Sequence, residues 1–322
     1  MKNKKTLCKL FSTITLTITS IHFFNKALSF FATKNEKLFN KNGKFYNHSA
    51  GKIFYTKTGS GSPVLLIHNL DSTSSDYEWS QIISHLSQKH TVYTLDLLGC
   101  GRSDKPVITY TSFLFVQLLK DFIKDIIAEQ TDVIATGDST SILVMTSKMY
   151  PSIFYHMILV NPTDLTEANC FPTNLDCYTK QIYETPVLGT FLYYLQVSKT
   201  NISRKFENNS FIKTPKTKLS YLTRCHEAAH LQGSSGKFLF ASKKFHYLGC
   251  NIANAYKDLK NPICVILGEY IEYNSDITDW SLFLNPNTEI VIMEDTKYLP
   301  QLEDPATFVD ICETFFENNS ID

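Results

Sequence analysis

The chain has 322 residues, 43% of them hydrophobic, and its 31 lysines and arginines are balanced by 31 aspartates and glutamates. That apolar content suffices for the packed core of one large domain, and a net charge of zero excludes the basic footprint of a nucleic-acid-binding protein. The eight cysteines are scattered with no Cys-x-x-Cys spacing, which reads as buried thiols of a reducing compartment rather than as a disulfide framework.

The first segment, residues 1–32, opens on Lys2, Lys4 and Lys5 and continues into an apolar, threonine-rich run from Leu10 to Phe24 that resumes through Phe31 after Asn25 and Lys26. A basic start before an apolar centre fits a membrane anchor, a cleaved signal that would make the protein secreted, or a helix packed on the domain. Taken whole, residues 10–32 could cross a bilayer or lie along its surface. An anchor with the folded domain in the cytosol reconciles this segment with the thiols.

From residue 45 onward, short Val/Ile/Leu runs at 64–67, 91–97, 132–136, 156–160, 263–267 and 289–293 predict buried parallel strands. Segments 77–88, 112–128, 140–149 and 305–317 place apolar residues at three- and four-residue spacing and predict helices between them. The fold class is therefore α/β, a mostly parallel sheet with helices on both faces, built from residues 45–162 and 256–322. Residues 163–255 break the alternation with a tyrosine- and lysine-rich stretch whose best helices cover 188–195 and 221–231. An inserted helical cap is expected there, its aromatics either packing on the core or meeting a small apolar ligand.

Chemistry concentrates where strand 131–136 runs into Gly137-Asp138-Ser139-Thr140-Ser141. A serine on a sharp strand-to-helix turn needs small residues two before and two after it, and Gly137 and Ser141 meet that need. Around it stand His68-Asn69-Leu70 after an apolar strand, Tyr77-Glu78-Trp79, the run Asp96-Leu97-Leu98-Gly99-Cys100-Gly101-Arg102-Ser103-Asp104, and Asn161-Pro162. In this order, over residues 52–317, the series resembles the α/β-hydrolase family, in the branch that carries caps.

That resemblance implies Ser139 as nucleophile and the backbone amides of Leu70 and Thr140 as an oxyanion hole, followed along the chain by an acid and a histidine. The partners depart from the pattern. Ile271 stands where the acid is expected, leaving Glu272 or Asp164 as candidates, and Tyr298 stands where the histidine is expected. No histidine follows His246. A tyrosine with an ordinary pKa near about 10 is a poor base at neutral pH, and Lys297 is a remoter candidate. Asn69 replaces a glycine of the family, and asparagine tolerates the positive φ that such a loop can require. His68 reads as a hydrogen-bonded structural residue.

One competing motif remains, because Cys225-His226-Glu227-Ala228-Ala229-His230 carries the His-Glu-x-x-His spacing of zinc hydrolases. No third ligand follows His226 and His230 at a recognisable distance, so a chance match within the cap is expected, with no metal and no cofactor. The sequence thus points to a hydrolase-fold protein with a degenerate triad, weak or inactive in turnover. An active serine hydrolase using an unusual base is the alternative.

Overall fold

A computed structural model describes residues 2–206, 211–212 and 218–319, without the side chains of residues 2–10 and Lys218. The chain opens with α1 (Lys2–Thr33), then runs through β1 (Lys44–His48), β2 (Gly51–Gly59), β3 (Pro63–Ile67), a 3-10 turn at Asp76–Trp79, α2 (Ile83–Leu86) and β4 (Thr91–Leu95). It continues with α3 (Ser112–Phe122), β5 (Thr131–Thr136), α4 (Ser139–Met149) and β6 (Phe154–Val160). Six helices follow: α5 (Leu165–Ala168), α6 (Asn174–Glu184), α7 (Leu188–Gln196), α8 (Lys199–Lys205), α9 (Lys218–His230) and α10 (Gly236–Lys244). The last part holds α11 (Ala253–Lys257), β7 (Ile263–Gly268), α12 (Asn274–Leu284), β8 (Glu289–Met293), α13 (Pro300–Glu303) and α14 (Pro305–Asn318).

The eight strands form one sheet in the order β1-β2-β4-β3-β5-β6-β7-β8. β2 is antiparallel to both of its neighbours, and every pair from β4 to β8 is parallel. β3, β5 and β7 are buried along their whole length, as expected for strands covered on both faces. Alternate side chains serve two separate cores. Leu65, Ile67, Val133, Ala135, Leu159 and Val265 face α3 and α4, whereas Val64, Leu66, Ile134, Ile158 and Ile266 face Trp79 and α14.

Helix faces follow the same logic. α3 buries Phe115, Leu118, Leu119 and Phe122, one stripe at three- and four-residue spacing, and its N-terminus is capped by the Thr111 side chain accepting from the Leu114 amide. The helical path continues as a π turn through Ile123–Ile127 and stops at Ala128 in the left-handed region, within the predicted 112–128. α14 buries Phe308, Val309, Cys312, Phe315 and Phe316 on the opposite face.

Segment 77–88 departs from expectation, forming the 3-10 turn and the short α2 instead of one helix. The buried side chains of Asp76 and Glu78 bond Arg102 and Thr94, and Thr136 and Gln301, respectively, while Trp79 packs in the core beside α14, and these tertiary contacts override the helical period. β1 and β2 carry no apolar run long enough to be seen from sequence. They form an edge with exposed residues in both strands.

Helices α5 to α10 lie between β6 and β7 and have their own core, in which Tyr193, Tyr194, Tyr221 and Cys225 pack with Leu299 and Leu302 of the α13 region. These cap aromatics pack against one another and against the α13 region. α1 lies against α7 and α9. No helix among the described residues is long and apolar enough to cross a membrane.

Candidate functional site

β5 ends at Thr136, which pairs with Val160 of β6. The amide of the next residue, Gly137, donates to the Val160 carbonyl at 3.0 Å, and Gly137 turns the chain at φ +52°. Asp138 follows, and α4 begins at Ser139. The strand-to-helix corner is thus Gly137. A Cβ built on it would stand 2.6 Å from Oδ1 of Asn69, so the corner carries no side chain because a neighbouring one fills the space. With Ala135 and Ser139 two residues to either side, the small-x-corner-x-small rule holds around Gly137 as it does in sequence around Ser139.

This corrects the expectation for Ser139. Its side chain is fully buried, and its hydroxyl donates to the carbonyl of His68 at 2.7 Å. It joins the first turn of α4 to the end of β3. The positive φ of the turn belongs to Gly137.

Two amides beside the corner are committed as well. The one that follows the corner, Asp138 N–H, donates to Asn69 Oδ1 at 3.1 Å. Thr140 N–H donates to the Gly137 carbonyl at 3.1 Å, and the Thr140 hydroxyl bonds the same carbonyl at 2.7 Å. The expected use of Thr140 as an oxyanion donor is corrected accordingly. Leu70 is buried, and its carbonyl accepts from Lys243 Nζ at 2.9 Å. Asn69 is not at positive φ; its significance lies in the side-chain amide that a glycine would lack.

His68 behaves as the sequence suggests. Nε2 accepts from the Leu97 amide at 3.0 Å, so the proton sits on Nδ1, which donates to the Asn69 carbonyl at 2.8 Å. Burial lowers the pKa of this fully enclosed ring and keeps it neutral.

The remaining candidates lie in the segments that follow β6, β7 and β8. Ile271 is buried in the core under the sheet, and Glu272 beside it is exposed. Asp164 caps α5, accepting from the Thr166 amide at 2.9 Å. Tyr298 is half-buried, and burial followed by the charge of Glu272 raises the pKa of its phenol, which makes it a weaker acid than free tyrosine at neutral pH.

Two groups that sequence reasoning left without a role dominate the electrostatics. Lys243 of α10 reaches from the cap to Asp138 Oδ2 at 2.6 Å and Asp71 Oδ2 at 3.4 Å, while Thr163 donates to Asp138 Oδ1 at 2.7 Å. Desolvation opposes the lysine's charge, yet the two carboxylates hold its pKa above the ordinary value. Behind the corner, Glu78 is buried and accepts from the Asn69 amide at 3.3 Å, from Gln301 Nε2 at 3.3 Å and from the Thr136 hydroxyl. Burial pushes its pKa up to about 7 against these bonds. The cavity between corner and cap has a volume of 70 Å³ and is lined in part by Asp138, Ser141, Thr163, Glu167, Lys243 and His246.

The zinc motif is used structurally. Glu227 accepts from the amides of Lys37 at 2.7 Å and Leu38 at 3.4 Å, fastening the segment after α1 to the cap. His230 Nδ1 bonds the carbonyl of His226 at 2.7 Å, and its ring stacks on Tyr194 at 4.6 Å between centroids. No metal-ligating group of three or more side chains occurs among the described residues.

Among solved structures, the chain is similar to a serine hydrolase involved in carbazole degradation (CarC), with a TM-score of 0.69 at 16% identity over 86% of this chain and 98% of that one. Together with the strand order and the strand-to-helix corner, this settles the architecture. The chain has the α/β-hydrolase fold. A membrane phospholipase A described as a bacterial virulence factor is also similar, with a TM-score of 0.69 and 16% identity over 98% of this chain and 99% of that one. That coverage leaves too few unmatched residues to omit the 32-residue α1.

Curated relatives of this α/β-hydrolase-fold chain match over short stretches. They include 2-hydroxy-6-oxo-6-(2'-aminophenyl)hexa-2,4-dienoic acid hydrolase of Metapseudomonas resinovorans, 35% identical over 25% of this chain. Another is a soluble epoxide hydrolase of Corynebacterium sp., 39% identical over 17% of this chain. The chain spans 28% of the first relative's length and 19% of the second's. No protein-family model matches.

Proposed function

We propose that this protein is a non-hydrolytic user of the α/β-hydrolase fold, which holds a small ligand or a partner at the junction of core and cap without turning it over. The observation that carries the reading is the corner itself. Gly137 offers no nucleophile, and the Asn69 amide occupies the space and the Asp138 N–H that acyl transfer on this scaffold would need. Tyr298 in place of a histidine points the same way. Losing a single member of a serine–histidine pair already costs on the order of 10⁶ in turnover.

The relatives are named for hydrolysis of a hexadienoic acid and of epoxides, which marks what the fold supports when its corner is armed. A 70 Å³ cavity admits only a few heavy atoms, far below the roughly 300 Å³ at which ordinary ligand pockets begin. An apolar ligand of larger size requires the cap to move. The free thiols, of which Cys100, Cys225, Cys264 and Cys312 are buried, support a domain facing the cytosol.

Turnover of short- and medium-chain p-nitrophenyl esters tests the reading, combined with labelling by a fluorophosphonate probe. The wild type is expected to match Ser139→Ala in both, with no rate above buffer and no label. Labelling of the wild type that disappears in Ser139→Ala would revive a serine hydrolase with an unusual base.

A further inference from the structure

α1 consists of two dissimilar halves. From Phe24 onward it is docked on the cap: Asn25 Nδ2 donates to the Val187 carbonyl at 3.2 Å, Ser29 Oγ to the His230 carbonyl at 3.3 Å, and the rings of Phe24 and Phe191 lie 6.4 Å apart. Residues 11–20 are exposed on every side. At a rise of about 1.5 Å per residue, this exposed stretch extends some 15 Å along the helix.

Its sequence, Phe11 to Ser20, is a poor helix former in water. Six of its ten residues are threonine or isoleucine, whose β-branched side chains lose χ1 freedom in a helix. Phe11 and Leu16 are 74% and 69% exposed, and Phe23, about two turns beyond Leu16, is 66% exposed. Polar groups in the stretch are turned inward on the helix itself: the hydroxyls of Thr15, Thr17, Thr19 and Ser20 each bond the carbonyl four residues back, at 2.8–2.9 Å. That arrangement hides hydroxyls from an apolar surrounding and gains little in water.

The cap carries exposed apolar side chains too. Leu175, Tyr178 and Ile182 form an exposed stripe along α6 at helical spacing, and Leu188 and Leu195 of α7 are exposed as well. Between α1 and the cap lies a groove of 640 Å³, lined by His22, Lys26, Ser29, Ser234 and Ser235 among others and by no carboxylate. Lys2, Lys4, Lys5 and Lys9 lie along the first turns of α1. Aliphatic and aromatic contact with basic groups at both ends is the complement of an anionic lipid surface.

We propose that α1 and the outer face of the cap dock on an anionic phospholipid bilayer, with residues 11–23 lying at the boundary of headgroups and acyl chains and Lys26 at the mouth of a groove that takes a lipid phosphate. This docking does not depend on whether the corner is catalytically silent. The helix lies on the bilayer without spanning it, which is why an 18-residue apolar window is not required.

Co-sedimentation of the full chain with vesicles of phosphatidylcholine and phosphatidylglycerol in equal parts, and of phosphatidylcholine alone, tests the proposal. The wild type is expected to sediment with the mixed vesicles, and Phe11→Ser/Phe23→Ser to bind them at least about tenfold more weakly, as removal of two inserted rings requires. Lys26→Glu is expected to lower binding to the mixed vesicles and leave phosphatidylcholine alone unaffected. All variants should melt with the wild type, because the altered side chains lie outside the packed body. A wild type that stays in the supernatant, or a double phenylalanine variant that binds as well as wild type, overturns the proposal. So does lipid-free self-association abolished by the same two substitutions without vesicle binding, which would assign the face to a second copy of the chain.

Discussion

At the scale of single residues, the site is decided by one pair. Asn69 brings a side-chain amide where a glycine would leave room, and Gly137 gives up the side chain that would collide with it. Glu78 lies just behind them and ties three loops through Asn69, Thr136 and Gln301. Because burial raises its pKa from 4.5 to about 7, the folded state binds the more protons between those values. Its contribution is therefore most favourable below pH 4.5, declines as pH rises through the window, and is fully lost above 7. The difference is at most about 3 kcal/mol. Denaturant titrations at about pH 5 and about pH 8 should show the wild type losing stability relative to Glu78→Gln at the higher pH; equal differences at both would show that this carboxyl is not perturbed.

The corner was legible in the sequence to within two residues. Small residues flank Ser139 at the required spacing, but Ala135 and Ser139 flank Gly137 equally well, and only the end of β5 distinguishes the two registers. A strand that stays paired to Val160 through Thr136 needs a left-handed residue immediately afterwards, and the glycine supplies it. The filling of the corner by Asn69 depends on a contact between residues 68 positions apart, which no local pattern encodes.

At the scale of elements, the segment between α1 and β1 is tied down by two buried anchors. One is Glu227 on α9, which is 2% exposed. The other is the Asp96–Arg102–Asp76 cluster, in which Arg102 bonds Asp96 through Nε at 2.7 Å, pairs with Asp76, and donates from Nη1 to the Leu38 carbonyl at 3.1 Å. Gly101 lies against Asp96, and a Cβ there would come 2.2 Å from its Oδ2, so the glycine in the Gly99-Cys100-Gly101-Arg102 run serves this cluster. Glu227→Ala leaves the part-buried amide of Lys37 and the buried amide of Leu38 without their acceptor, at a cost of about 1–3 kcal/mol. Hydrogen exchange at those two amides should accelerate while that of β5 and β7 stays slow. Unchanged exchange at residues 37 and 38 would mean that the motif has some other task.

The alternation of strands and helices was readable because fully covered parallel strands are short, apolar and β-branched. The edge pair β1 and β2 was not, since one exposed side removes the apolar run. Segment 77–88 failed for a different reason: Glu78, and Asp76 just before the segment, are buried and satisfied by distant partners, and tertiary bonds of that kind break a helical period.

For the whole molecule, the α/β-hydrolase architecture is intact and the Asn69 side chain fills its strand-to-helix corner. Two separate cores sandwich the sheet, and the cap has a third core of its own, so the packing does not depend on which side chains stand at that corner. The most direct measurement of this account is a double-mutant cycle of stability on Gly137→Ala and Asn69→Gly. Gly137→Ala alone is expected to destabilise by about 1–3 kcal/mol, and the Asn69→Gly background should recover about 1 kcal/mol or more of that loss as coupling. Additivity within about 0.5 kcal/mol would contradict the account, because it would mean that the Asn69 amide does not occupy the corner.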